Sequence, residues 1–249
     1  MADPKRLYGL KAVVTSAGSG IGEAVARTLA KHGATVLAVD EENSGVEQLF
    51  RSVKGVEGVP TSLRETGKLT ALVETAIDKL DGIDILVCDF PLQPSTPITV
   101  GDDSLDRLLD RRAELTMAIC RAALPHLKKS PSGRIVNIGF LRSVFSAEAG
   151  AASRRAEQNL ASITRALAAE IGEFGITANY VQPGAIMTPS SRDVFRRNTD
   201  LRDYCIANSA ARRLGEPVDV AKVVLFLASD DAMFVNGSGI AVDGGRTDT

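Results

Sequence analysis

Positive charge is not in surplus in this sequence: 29 lysines and arginines face 31 aspartates and glutamates, for a formal net charge of −2. Without a basic excess the surface cannot neutralise a run of phosphates, so nucleic acid is excluded as an expected partner. Cysteine is scarce. Cys88, Cys120 and Cys205 are far apart and have neither the CxxC spacing of a redox pair nor the clustering of a zinc site, so they are expected to be reduced, mostly buried and free of metal. No apolar run approaches the roughly 20 residues that cross a bilayer, and the stretch MADPKRLYGL has no apolar signal core. A cytoplasmic protein without a membrane partner is expected. Internal repeats, low-complexity tracts and Pro/Gly/Ser-rich linkers are all lacking, so residues 1–249 are expected to form one domain.

What is present is a rhythm. Short apolar runs alternate with longer amphipathic stretches, the pattern of βαβ units stacked into a parallel sheet. Strands are expected at 11–15, 34–39, 83–87, 134–138, 177–181 and 240–242, with a weaker one at 55–59. Helices are expected at 21–32, 65–80, 104–129, 147–174 and 218–229, where apolar residues recur at helical spacing. The predicted class is therefore α/β, a single-domain doubly wound parallel sheet, Rossmann-like, with helices on both faces. The polar stretch 188–213 breaks the rhythm beyond a strand's carboxyl end, where open α/β sheets bind ligands, and is the candidate substrate lid.

Thr15-Ser16-Ala17-Gly18-Ser19-Gly20-Ile21-Gly22 follows the first strand and opens a helix. Gly20 and Gly22 allow backbone to approach a pyrophosphate, and a helix amino terminus offers it unpaired N–H groups and a positive dipole end. Asp40 ends the second strand, where a carboxylate accepts hydrogen bonds from a ribose diol. With Glu41 and Glu42 beside it, Asp40 repels a 2′-phosphate, which favours NAD over NADP. A ligand-free turn and a capping aspartate are the alternatives.

The glycine string, Asp40, RAALPHL ending at Leu127, GRIVNI ending at Ile138, NYVQPGAIMTP ending at Pro189, RLGEP ending at Pro217 and VDGG ending at Gly245 together resemble the short-chain dehydrogenase/reductase family over nearly the whole chain. The resemblance implies NAD(P) across the carboxyl edge of the sheet, with Thr15, Ser16, Ser19, Gly20, Ile21, Gly22, Asp40, Pro183, Gly184 and Thr188 as cofactor contacts. It also implies a homotetramer built on the two long helices. The family's chemistry uses a tyrosine as acid/base, a lysine four residues on, a serine about thirteen residues before the tyrosine, and a helix asparagine. Counting along the motifs places Ser153, Glu157, Phe140 and Arg112 at those four positions. The three tyrosines, Tyr8, Tyr180 and Tyr204, lie elsewhere.

These departures bear on charge. At about 4 Å in an effective dielectric of about 20, one charge interaction is worth about 4 kcal/mol, so glutamate in place of lysine swings about 8 before screening. Phe140 donates no hydrogen bond. Ser16 replaces a family glycine and is expected to strain the turn. Phe90 and Pro91 are bulky beside the expected ribose, and Ser62 stands near the usual adenine-contacting aspartate.

The expected function is a family member without ordinary alcohol or ketone redox catalysis, with a binding, regulatory or subunit role. One alternative is an atypical NAD(H)-dependent oxidoreductase using Ser153, Asp89 or Tyr204. A non-redox enzyme like the halohydrin dehalogenases ranks below both, since it needs serine, tyrosine and arginine that the matching positions do not supply. Arg112 and Glu157 are expected to pair inside the former site, each offsetting the other's burial. The arginine doublets Arg111-Arg112, Arg154-Arg155, Arg196-Arg197 and Arg212-Arg213 could form an anion surface but are read as solvated faces except at Arg112, His32 and His126 as structural, and Cys88 as inert.

Overall fold

The structure, a computed structural model, describes residues 6–90, 92 and 96–247. Seven strands form one parallel sheet in the order β3-β2-β1-β4-β5-β6-β7. They are β1 (Lys11–Val14), β2 (Thr35–Asp40), β3 (Val56–Pro60), β4 (Ile85–Cys88), β5 (Arg134–Ile138), β6 (Thr177–Pro183) and β7 (Gly239–Val242). The inner strands read as unbroken apolar runs because both of their faces are covered: every residue of β4 and β5 is buried.

Helix α1 (Gly20–Lys31) packs against α8 (Pro217–Ala228) on one face, while α3 (Thr66–Leu80), α4 (Ser104–Leu127) and α5 (Gly150–Ile171) pack in series on the other. The doubly wound architecture expected from the apolar rhythm is what forms, with element boundaries shifted by a few residues. A short α2 (Val46–Phe50) was not foreseen, because five residues carry too little periodicity to register. The 188–213 stretch folds as α6 (Pro189–Arg197) and α7 (Thr199–Ala207). Thr188 starts α6: its hydroxyl accepts the Ser191 N–H at 3.1 Å, and its own backbone N–H donates to the Ser191 hydroxyl at 2.8 Å, a reciprocal cap.

Strand order reverses at β1, which pairs with β2 on one side and β4 on the other. The connections leaving their carboxyl ends diverge there and open a crevice, the general ligand position of such sheets. Among the described residues no helix is long and apolar enough to cross a membrane.

Candidate functional site

Thr15 is fully buried at the end of β1. Its Oγ1 receives the Asp89 N–H at 2.8 Å and donates back to the Asp89 carbonyl, tying the ends of β1 and β4 beneath the crevice. The next residue, Ser16, sits in the left-handed region at φ 52°, the strain anticipated for a side chain at a family glycine. Its hydroxyl is buried without a hydrogen-bond partner. Gly22 is required by close approach: a Cβ there would stand 2.1 Å from the Ser16 carbonyl oxygen. Asp40 reaches across from β2, its Oδ2 accepting the Gly18 N–H at 2.6 Å and its Oδ1 the Glu41 N–H at 2.7 Å. Each oxygen keeps a lone pair for a further donor.

Ser16, Ser19, Gly20, Ile21, Gly22, Asp40 and Thr188 share one groove of about 320 Å³. Arg64 also borders it, 3.6 Å from Glu41, a residue that sequence reasoning passed over because nothing in its neighbourhood forms a motif. Phe90 is buried and borders the groove as expected, Pro91 lies outside the described residues, and Ser62 does not border the groove.

At the far end of the groove, Arg112 corrects an expectation. It is buried, but its partner is Asp89 at 3.2 Å and not Glu157. The same guanidinium donates to the Ile138 carbonyl and lies 4.4 Å from the centre of the Phe140 ring. The resemblance put Arg112 and Glu157 in one pocket on adjacent helices, but here Arg112 lines the groove and Glu157 a second cavity. Gly139, Phe140 and Leu141 face the groove, and the next residue, Arg142, faces the second cavity. This wall is fixed to β6 by the Gln182 side-chain amide donating to the Phe140 carbonyl at 2.9 Å and by the Arg142 N–H donating to Gly184 at 3.1 Å. Burial pushes the Asp89 carboxyl above its ordinary pKa, with Arg112 and the Phe90 N–H opposing that rise. Burial likewise lowers the pKa of Arg112, against the pull of Asp89.

The second cavity, of about 270 Å³, shares no lining residue with the groove. Ser153 and Glu157 line it, with Pro183 and Gly184 beside them, so the four residues that the resemblance aligns with the family's reacting set divide between two clefts. Glu157 is half-buried near Tyr180, whose hydroxyl pKa is raised by burial first and by that carboxylate second. Arg154 and Arg213 also line this cavity, so two of the doublets contain more than a solvated face. The candidate lid spans both clefts, with Thr188 and Ser190 on the groove and Tyr204, Asn208 and Arg213 on the cavity.

His32 caps the end of α1 and His126 lies in the last turn of α4, and neither borders a cleft. All three cysteines are buried and unbridged. The Cys88 thiol is pushed well above its ordinary pKa by its hydrogen bond with Cys120 and by burial, which keeps it protonated. No cluster of metal-ligating side chains occurs among the described residues.

Residues 16–247 match the family described as enoyl-(acyl carrier protein) reductase. Among curated proteins, the short-chain reductase protein NovJ of Streptomyces niveus is 32% identical, covering 94% of this chain and 93% of its own. The 7alpha-hydroxysteroid dehydrogenase of Clostridium sardiniense is 33% identical over 97% of this chain and 94% of its own. The 3-oxoacyl-[acyl-carrier-protein] reductase FabG of Vibrio harveyi is 28% identical over 96% and 98%. With a parallel sheet in this order and a glycine turn at its reversal point, the chain belongs to the short-chain dehydrogenase/reductase family of oxidoreductases.

Proposed function

We propose that this protein binds NAD(H) in the groove at the β1 switch point and does not carry out ordinary alcohol or ketone redox chemistry, serving as a ligand-binding, regulatory or subunit member of its family. The residues of the groove fit the dinucleotide. A turn that tolerates no Cβ at Gly22, an unpartnered Ser16 hydroxyl and an Asp40 carboxylate with acceptor capacity are what a pyrophosphate and a ribose diol require. Ser16, Ser19, Gly20, Ile21 and Gly22 would hold the phosphates and Asp40 the ribose, with Thr188 closing over Gly20. When bound, such a cofactor supplies hydride transfer.

The single observation that carries the reading against catalysis is the wall from Gly139 to Arg142. With Arg112 and Phe140 lining the groove and Ser153 and Glu157 the cavity, the four positions of the family's reacting set do not face one cleft and so do not supply a donor, an acid and a supporting cation together. On the groove side the cation is engaged already, by a carboxylate, a carbonyl and a ring. On the cavity side the hydroxyl of Ser153 lies one helical turn from a carboxylate, which disfavours a developing oxyanion.

A second reading keeps one observation in its favour. Asp89 borders the groove with a carboxyl held above its ordinary pKa, the condition of a proton-transfer group. Under that reading the protein is an atypical NAD(H)-dependent oxidoreductase. The experiment combines fluorescence titration with NADH and NADPH and steady-state assay over a panel of ketones and secondary alcohols. Binding of NADH without turnover is expected. Turnover abolished by Asp89→Asn supports the second reading, and failure of NADH to bind overturns both.

A further inference from the structure

The second cavity is more than a remnant of a reaction site, because its charge is organised. Arg142, Arg154, Arg213 and Arg246 line it against Glu157 and Asp243, and with Asp219 paired to Arg213 from outside the lining the arginines still outnumber the carboxylates, in a chain of net charge −2. We propose that this cavity binds a small organic carboxylate carrying a planar group, at a site distinct from the dinucleotide groove.

Arg142 supplies the fixed part of the site. It is buried, and its guanidinium is held by the carbonyls of Phe145 at 3.0 Å, Ser146 at 2.9 Å and Ala147 at 3.1 Å. Its positive charge is met by no carboxylate among the described residues. A cation buried in this way is preorganised: an incoming anion gains its field without ordering a flexible side chain. The guanidinium also lies 5.5 Å from the centre of the Tyr204 ring, which borders the same cavity. That arrangement offers an aromatic wall beside a positive charge, which suits a flat, negatively charged molecule.

Arg154 supplies the adjustable part. Among the described residues it makes no hydrogen bond or ion pair, and its Nη1 lies 3.5 Å from the point that a Gly150 Cβ would occupy, with an Arg246 nitrogen 3.7 Å from the same point. Two guanidinium groups thus converge on the start of α5, one of them with donors to spare for a carboxylate. Arg213 stands across the cavity, steadied by Asp219 at 2.9 Å.

The two acidic residues decide which anion. Glu157 and Asp243 in the same lining oppose a second negative charge, so a monoanion is favoured over phosphate in its dianionic form. A cavity of about 270 Å³ limits the ligand to a few rings or fewer. The inference rests on the reading above only in treating Ser153 and Glu157 as lining and not as reacting groups.

The test is calorimetric titration of the purified protein with benzoate, benzamide and inorganic phosphate, with NADH titrated in parallel. Benzoate is expected to bind, and benzamide and phosphate at least about tenfold more weakly (about 1.4 kcal/mol). Arg154→Glu, a change at an exposed residue, should weaken benzoate about tenfold and leave NADH binding unchanged. Glu157→Gln should move benzoate affinity the other way, tightening it severalfold. Equal binding of benzamide, preference for phosphate, absence of benzoate binding, or indifference of benzoate to both substitutions overturns the proposal. Benzoate binding without NADH binding leaves this site standing and removes the reading of the groove, and the reverse result removes this site alone.

Discussion

The guanidinium of Arg112 lies over the ring of Phe140, 4.4 Å from its centre, with both side chains buried. This contact holds a cation inside the groove at the carboxyl end of β1, and Asp89 supplies its counter-charge at 3.2 Å. Replacing Arg112 by methionine leaves Asp89 partly buried without its cation. Since that carboxylate keeps a quarter of its side-chain surface exposed, the expected cost is about 2–3 kcal/mol, below the 3–5 typical of a fully buried pair. Urea denaturation measures it, and Asp89→Asn in the Arg112→Met background should recover much of the loss. Additive losses would show that the pair is not coupled.

The same variant carries a pH signature. Burial already raises the folded-state pKa of Asp89, and losing Arg112 raises it further. A raised carboxyl pKa means more protons bound in the native state, so this contribution to stability is present below the unfolded pKa and is lost as pH rises through the folded one. The penalty of Arg112→Met should therefore be smallest in acid and grow towards neutrality. A penalty independent of pH would assign the loss to packing on Phe140.

Asp40 sets the expected nucleotide preference. Its two oxygens are fixed by the N–H groups of Gly18 and Glu41, so it cannot swing away from a 2′-phosphate. NADH should bind at least about tenfold tighter than NADPH, and Asp40→Ala should narrow that ratio. Arg64, borne by the same groove, is the residue that would stabilise a 2′-phosphate if the ratio proved inverted.

Ser16 offers a stabilising substitution. Its left-handed backbone and its buried, unpartnered hydroxyl both cost stability, so Ser16→Gly is expected to raise the unfolding free energy by about 1 kcal/mol. Gly22→Ala should do the reverse and abolish NADH binding, because its methyl would collide with the Ser16 carbonyl. Equal stability of Ser16→Gly and the parent protein would place the strain elsewhere.

At the start of α8, Asp219 accepts the Glu216 N–H at 3.0 Å and an Arg213 donor at 2.9 Å. The Glu216 N–H and then Arg213 hold its carboxyl below the usual 3.8. A depressed carboxyl pKa contributes stability above the unfolded value, lost as pH falls through the folded one. Asp219→Asn should therefore destabilise the protein at neutral pH, and the difference should begin to shrink below about pH 4 and vanish only once pH has fallen through the depressed folded value. A constant difference across that range would contradict the assignment.

Much of the fold was legible because parallel strands covered on both faces leave continuous apolar runs, and the turn after β1 leaves glycines. The strain at Ser16 was legible for the same reason: a side chain stood where the pattern asks for none. The partner of Arg112 was not. Positions on α4 and α5 reveal which helices adjoin, but the side of the β5 exit segment on which a side chain lies depends on how Gln182 and Gly184 anchor that segment to β6. The arginine-lined cavity was not resolved, since Arg142, Arg154, Arg213 and Arg246 are far apart in sequence and line one cavity only in the fold. The doublets that hold Arg154 and Arg213 offered a signal, but read along the sequence they pass for solvated faces, and Arg142 is a lone charged residue in the exit segment of a central strand.

The sheet order also governs when each cleft can exist. Thr15 closes the floor of the groove only by bonding to Asp89, and Ala12 cannot find its β4 neighbour until Ile85 is available. No strand pair is local, so the chain closes long loops before any pairing is rewarded, which makes folding slow. At roughly 5–20 residues per second of synthesis, β1 spends seconds as an apolar segment with one edge unpaired. The groove is complete once Thr188 and Ser190 have packed, whereas the arginine-lined cavity waits for Asp243 and Arg246. The residues that line the groove are therefore translated before those that line the cavity, yet α1, which opens the groove, gains its packing partner only when α8 follows, so both clefts depend on the last third of the chain.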